Sequence, residues 1–125
     1  MDINNISGEI VDSAIKIHKI LGPGLLENAY EACMIHELES KGLDTESQVT
    51  LPIVYEDVKI DLGYRIDLLV NEKVIVELKS VEKVIPIYEA QILSYLKLSN
   101  IKLGLLINFN VTRMKDGIKR FANKL

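Results

Sequence analysis

The chain of 125 residues predicts an α/β fold on three observations. Two amphipathic helical stretches open it, Val-, Ile- and Leu-rich segments broken by turn residues follow, and a further helix leads into an apolar run over residues 102–109. The predicted order is helix-helix-strand-strand-strand-helix-strand, an α/β sandwich-like plan. Its last strand could lie parallel to an earlier one through a right-handed crossover.

Residues 7–21 place Ile10, Val11, Ala14, Ile17 and Leu21 at helical spacing, and Gly22-Pro23-Gly24 stops that helix. A second spans about residues 25–41 and ends at Gly42, a residue suited to the C′ position. Residues 48–55 are rich in Val, Leu and Ile around Pro52, which predicts one edge strand. Glu56-Asp57 marks a turn, and residues 58–62 lead through Gly63, a candidate bulge, into the next strand. Pro86 suits the first turn of a helix reaching to about Ser99. Leu103-Gly104-Leu105-Leu106-Ile107 suits a strand buried on both faces, and a turn and short helix are expected after Asn110.

Most of the chemistry lies in the hairpin over residues 63–80, where Asn71-Glu72-Lys73 is a polar break between two strands. An odd-length loop centred on Glu72 sets Asp67 opposite Glu77 and Arg65 opposite Lys79. Alternation then gathers Arg65, Asp67, Glu77 and Lys79 on one face, with Leu69 and Ile75 nearer the turn. Tyr64, Ile66, Leu68, Val70, Val74, Val76, Leu78 and Ser80 share the other. A two-residue loop would move Asp67 to the opposite face.

Carboxylates directly across a ladder have Cβ atoms roughly 5 Å apart and repel each other. A divalent cation, a raised pKa on one acid, or the flanking Arg65 and Lys79 can offset that repulsion. Mg²⁺ prefers oxygen ligands and often combines one or two carboxylates with substrate phosphate oxygens. Lys79 would point into the same site, where it could hold an attacking water or neutralise charge on a phosphate. A four-residue salt-bridge cluster on a solvated face is the other reading, and spacing alone leaves both open.

Composition bounds the rest. Hydrophobic residues make up 48% and charged residues 26%, as in a soluble globular protein, and 125 residues suffice for one domain with a genuine core. No run approaches a membrane span, and the opening residues lack a basic leader and an apolar stretch, so the expected location is the cytosol. Cys33 is read as a buried structural thiol. The net charge of −3 gives no global attraction to nucleic acid, although residues 111–125 carry Arg113, Lys115, Lys119, Arg120 and Lys124 against Asp116 alone. A solvated terminal face is the commoner explanation for a cluster this small.

Tyr88, Gln91 and Tyr95 form one stripe on the helix that starts at Pro86, and Glu27, Tyr30 and Glu31 form a patch on the second helix. Either could orient a water or phosphate, or be an ordinary amphipathic face. His18 and His36 match no zinc-site spacing, and His18 is read as packing beside a turn or favouring the helix dipole. No nucleophile elbow or phosphate-binding glycine loop is present.

Asp67 followed on the next strand by Glu77-Leu78-Lys79 resembles the core of the PD-(D/E)xK nucleases. Gln91 and Tyr95 at the following helix, and the preceding helix glutamate Glu27, resemble the RecB-like branch. Gly24-Leu25-Leu26-Glu27-Asn28-Ala29-Tyr30, Tyr64-Arg65-Ile66-Asp67-Leu68 and Leu105-Leu106-Ile107-Asn108-Phe109 are similar to the GxxExxY protein family, with Ile66 where its motif has Pro. The resemblance runs from Ile10 to Phe121. It implies a restriction-endonuclease-like αβββαβ core, a central mixed sheet flanked by helices, forming a single domain over residues 1–125. It implies Mg²⁺ or Mn²⁺ held by Asp67, Glu77 and the Leu78 carbonyl, with Lys79 positioning the nucleophilic water and stabilising the phosphate. Glu27 would join the metal's first or second shell, and Gln91 and Tyr95 would orient the phosphate or Lys79. The implied activity is hydrolysis of phosphodiester bonds in nucleic acid, DNA foremost. A catalytically silent binding or adaptor module on the same scaffold is the alternative, and a homodimer or a larger protein partner is the expected assembly.

Overall fold

Asp2 starts the first helix, α1 (Ile3–Leu21), by accepting the Asn5 N–H at 2.8 Å, so α1 begins four residues before the predicted start. The computed structural model describes residues 1–125. The second helix, α2 (Glu27–Ser40), ends where Gly42 takes a φ of +81° and Leu43 N–H closes on the Leu38 carbonyl at 3.0 Å. Then follow β1 (Thr45–Thr50), β2 (Ile53–Tyr55), β3 (Val58–Ile60), β4 (Arg65–Val70), β5 (Val74–Lys79), α3 (Pro86–Ser99), β6 (Leu103–Asn108), a 3₁₀ turn (Met114–Gly117) and β7 (Ile118–Ala122).

Five strands form one mixed sheet in the order β1-β4-β5-β6-β7, parallel only between β5 and β6, where α3 makes the crossover. The sheet separates two apolar layers. Ile6, Ile10, Ala14 and Ile17 of α1 and Tyr30, Met34 and Leu38 of α2 pack on Leu68, Val76, Leu78 and Leu105. On the other side Ile92, Tyr95 and Leu96 of α3 pack on Ile66, Ile75 and Leu106. Gly104 permits that second approach, since a Cβ there would sit 3.0 Å from Ile92 Cδ1. This is the expected restriction-endonuclease-like α/β architecture.

The structure differs from the sequence expectation at four further places. The single strand expected over residues 48–55 is divided at Leu51-Pro52, because proline has no N–H to continue a ladder. Its second half pairs instead with β3 in a separate two-stranded hairpin, turned at Glu56 and Asp57 with φ of +49° and +65°. The tail after the 3₁₀ turn is a strand, β7, antiparallel to β6. Ile66 does not share a face with Leu68, since it packs under α3 while Leu68 packs under α1 and α2. Finally, Tyr30 is buried, so it does not share an exposed patch with Glu27 and Glu31.

The face change at Ile66 has a local cause. β1 and β4 pair in one register on both sides of Gln48 and Asp67, but those two residues do not pair. Gln48 adopts a φ of +52°, outside strand geometry. The interruption lets both strands turn their next side chains to the other layer.

Candidate active site

The turn at Asn71-Glu72-Lys73 sets the register as expected, with Leu68 opposite Val76, Leu69 opposite Ile75 and Val70 opposite Val74. One step further, Asp67 and Glu77 occupy the position where β4 and β5 have parted. Each carboxylate captures a backbone N–H of the strand it faces. Asp67 N–H donates to Glu77 Oε2 at 2.8 Å, and Leu78 N–H donates to Asp67 Oδ2 at 2.9 Å. These reciprocal bonds hold the two carboxyl groups side by side and leave Glu77 Oε1 without a hydrogen-bond donor from the protein.

Burial pushes the Glu77 carboxyl up to about 8, with the neighbouring Asp67 charge adding to the rise. Asp67 is raised too, by burial first, against the lowering effects of Leu78 N–H and the Lys79 charge. Neither acid has a salt bridge. The three ion pairs of the chain are Lys16–Glu37, Lys41–Glu9 and Lys119–Glu89. Lys79 extends over the Tyr88 ring with its Nζ 4.5 Å from the centroid, and Arg65 donates to the Tyr64 carbonyl at 3.2 Å. The salt-bridge-cluster reading of the four charged residues is therefore overturned.

Glu27 stands in the first turn of α2, exposed, and accepts the Ser80 N–H at 3.2 Å, which ties α2 to the segment just after Lys79. Tyr30 sets the approach of that helix. Its hydroxyl donates to the Gly22 carbonyl at 2.7 Å and accepts the Leu25 N–H at 3.1 Å, while its ring stacks on Phe109 with centroids 4.1 Å apart. Buried Asn108 fixes the next segment by pairing with both the N–H and the carbonyl of Val81. On α3, Gln91 donates its amide to the Tyr95 hydroxyl at 2.9 Å. The charges of Glu77 and Asp67, after burial, raise the Tyr95 phenol, as expected if its ring end faces the acids.

Glu27, Asp67, Glu77, Lys79, Gln91 and Tyr95 therefore gather around the parted end of the hairpin, Glu27 and Asp67 from the α2 side and Gln91 and Tyr95 from α3. Glu31, grouped with Glu27 from the sequence, joins them, and so does Gln48, which sequence reasoning missed. Gln48 donates to Glu31 Oε2 at 3.0 Å and reaches Asp67 Oδ1 at 3.5 Å. Burial raises the Glu31 carboxyl, with Asp67 contributing. Helical spacing from Glu27 pointed to Glu31, but a glutamine inside a strand carried no signal of its turn toward acids. His18 plays no part here, since its Nε2 lies 2.8 Å from the Val111 carbonyl.

No three His, Cys, Asp or Glu side chains converge as a finished cage. The donor set nonetheless fits a hard divalent cation. Asp67 and Glu77 offer carboxylate oxygens, one of them uncommitted, with no ammonium or guanidinium paired to them. A mixed sheet carrying an Asp on one strand and Glu-x-Lys on the next, between helices on both faces, defines the class as restriction-endonuclease-like.

A sequence profile of the PD-(D/E)XK nuclease superfamily matches residues 4–121, and the chain belongs to that superfamily. Membership suggests a metal-dependent nuclease with a nucleic acid as substrate, and such nucleases generally use divalent metal ions. No match is found among curated proteins or among solved structures. No helix is long and apolar enough to cross a membrane.

Proposed function

We propose that the chain is a Mg²⁺- or Mn²⁺-dependent nuclease of the GxxExxY group in the RecB-like branch, hydrolysing phosphodiester bonds of DNA in the cytosol. One observation carries this reading: Asp67 and Glu77 are pressed together at the parted hairpin end with no cation of the protein paired to either. Asp67, Glu77 and the Leu78 carbonyl would hold the ion, with Glu27 and Glu31 beside them. The ion, when bound, supplies a more acidic water and offsets charge on the phosphate.

The remaining chemistry belongs to the side chains. Lys79, free of any salt bridge, is available to stabilise charge gathering on the phosphate oxygens. The Tyr95 hydroxyl accepts from Gln91 and keeps its own proton to donate to a phosphate oxygen. Ser80 N–H on Glu27 holds the helix acid at the mouth.

The second reading is a silent nucleic-acid-binding or adaptor module on the same scaffold. It draws on Lys79, whose ammonium rests on the Tyr88 ring and forms no salt bridge with either acid. Self-association as a homodimer, or docking to a protein partner, is proposed on the exposed Val54, Tyr55 and Val58 of the β2–β3 hairpin. Sedimentation equilibrium showing only monomer at micromolar concentration would remove the homodimer.

The deciding experiment is cleavage of labelled single-stranded, duplex and branched DNA, and of RNA, with Mn²⁺, Mg²⁺ or EDTA, using Asp67→Asn alongside. Cation-dependent cutting that the variant lacks supports the nuclease. Cation-independent binding without turnover supports the silent module.

A further inference from the structure

A groove of about 500 Å³ opens beside the acids, walled by Tyr64 and Ile53 on one side and by Ile87, Tyr88, Gln91 and Tyr95 of α3 on the other. Three of the chain's five tyrosines line it. Tyr64 is 42% exposed and Ile87 64% exposed, while Tyr95 is buried beneath. Tyr64 meets Tyr95 in a T-shaped contact, with centroids 6.3 Å apart and planes at 67°, and its exposure leaves ring surface open to the groove. Tyr88 belongs both to this groove and to the candidate site, because its ring carries the Lys79 ammonium.

We infer that this groove receives an unpaired nucleobase next to the scissile phosphate, so that the substrate is single-stranded or locally unpaired nucleic acid. The inference rests on the nuclease reading of Asp67, Glu77 and Lys79 and adds the substrate form. Aromatic faces stack on any base, whereas a paired base offers no free face. Gln91 and the tyrosine hydroxyls add donors and acceptors for a base edge.

Charge argues the same way. A duplex is gripped chiefly through its phosphates, which needs a track of free Lys and Arg. The chain is net −3, and two of the five basic side chains of its tail are engaged, Lys119 with Glu89 and Arg120 with Asn4. Stacking on the groove's aromatic rings adds affinity that does not depend on a cationic surface.

The test is fluorescence anisotropy in EDTA with labelled oligo(dT), an abasic strand of equal length and a blunt duplex. Wild type, Tyr64→Ala and Tyr64→Phe are compared, each checked by circular dichroism. Tyr64→Ala should weaken oligo(dT) binding roughly 5- to 100-fold and leave the abasic strand unaffected. Tyr64→Phe should stay near wild type. Equal affinity for oligo(dT) and the abasic strand, or an equal loss on both, overturns the inference. Failure to bind any oligonucleotide also overturns it and leaves the groove to a protein partner.

Cleavage with Mn²⁺ separates this inference from the activity it rests on. Duplex cutting that ignores Tyr64→Ala overturns the unpaired-base inference and leaves the nuclease standing. Base-dependent, Tyr64-sensitive binding without cutting under any cation keeps the groove and removes the nuclease.

Discussion

Replacing Glu77 with Gln should stabilise the protein at alkaline pH and leave it unchanged at acid pH. The folded chain holds this carboxyl at about 8 against an ordinary 4.5, and the side chain is buried at 5% exposure. Below the ordinary value both folded and unfolded chains are protonated, and Glu77 contributes no penalty. As pH rises from 4.5 toward 8 the unfolded chain sheds its proton while the folded chain retains it, so stability falls across that window. At about 1.4 kcal/mol per tenfold, the loss by pH 9 is on the order of 5 kcal/mol.

Gln keeps an amide oxygen to accept the Asp67 N–H and carries no charge. Urea unfolding in EDTA at half-unit steps from pH 5 to pH 9 measures the difference. At pH 5 the two proteins should differ by less than about 1 kcal/mol. At pH 9 Glu77→Gln should be ahead by about 4 to 5 kcal/mol, roughly 15–20 °C in melting temperature for a domain of this size. Saturating Mn²⁺ should close that gap by stabilising wild type alone, since a ligand that binds only the folded state adds its binding free energy to stability. A difference of constant size across the range, or a variant less stable at pH 9, would refute the burial argument.

Asp67→Asn retains an acceptor for Leu78 N–H, so its fold should persist while Mn²⁺ affinity by calorimetry drops at least about 10-fold. Asp67→Ala is the poorer probe, because it strands that N–H at a cost of about 1–3 kcal/mol. Lys79→Met should keep Mn²⁺ binding but slow single-turnover cleavage about 100-fold or more, the scale of losing one donor to developing charge; an unchanged rate would remove Lys79 from the chemistry. Tyr30→Phe deletes the bond to Gly22 and the acceptor for Leu25 N–H, and should lower stability by about 1–3 kcal/mol in urea. Gly117→Ala should destabilise by more than about 2 kcal/mol, because its Cβ would collide with the Asn108 carbonyl oxygen.

What could be read from the sequence was set by local rules. The Asn71–Lys73 turn has a fixed length, so the face-to-face placement of Asp67 and Glu77 followed by counting from Glu72. Pro86 announced α3 at its first residue, and the apolar run announced the fully buried β6. Where the reading failed, tertiary context overrode local preference. Ile118, Lys119, Arg120 and Phe121 contain too little periodicity to declare a strand, and β7 exists because β6 offers it a partner edge. Ile66 was assigned by strict alternation, which the unpaired Gln48 and Asp67 break. Spacing set Lys79 near the acids, but it does not reveal the Tyr88 ring on which the ammonium rests.

The irregular backbone at Gln48 also bears on how this molecule meets others of its kind. β1 is an outer strand of the sheet, and an outer strand with an unbroken row of N–H and C=O groups invites a stranger to zip onto it. A left-handed residue in mid-strand bends that row out of line, and the division at Leu51-Pro52 shortens it. The distortion that delivers an amide to the acidic cluster thus also blunts the sheet's exposed margin. Contact between copies is steered away from continuous β-pairing along β1 and toward side-chain surfaces such as the β2–β3 hairpin.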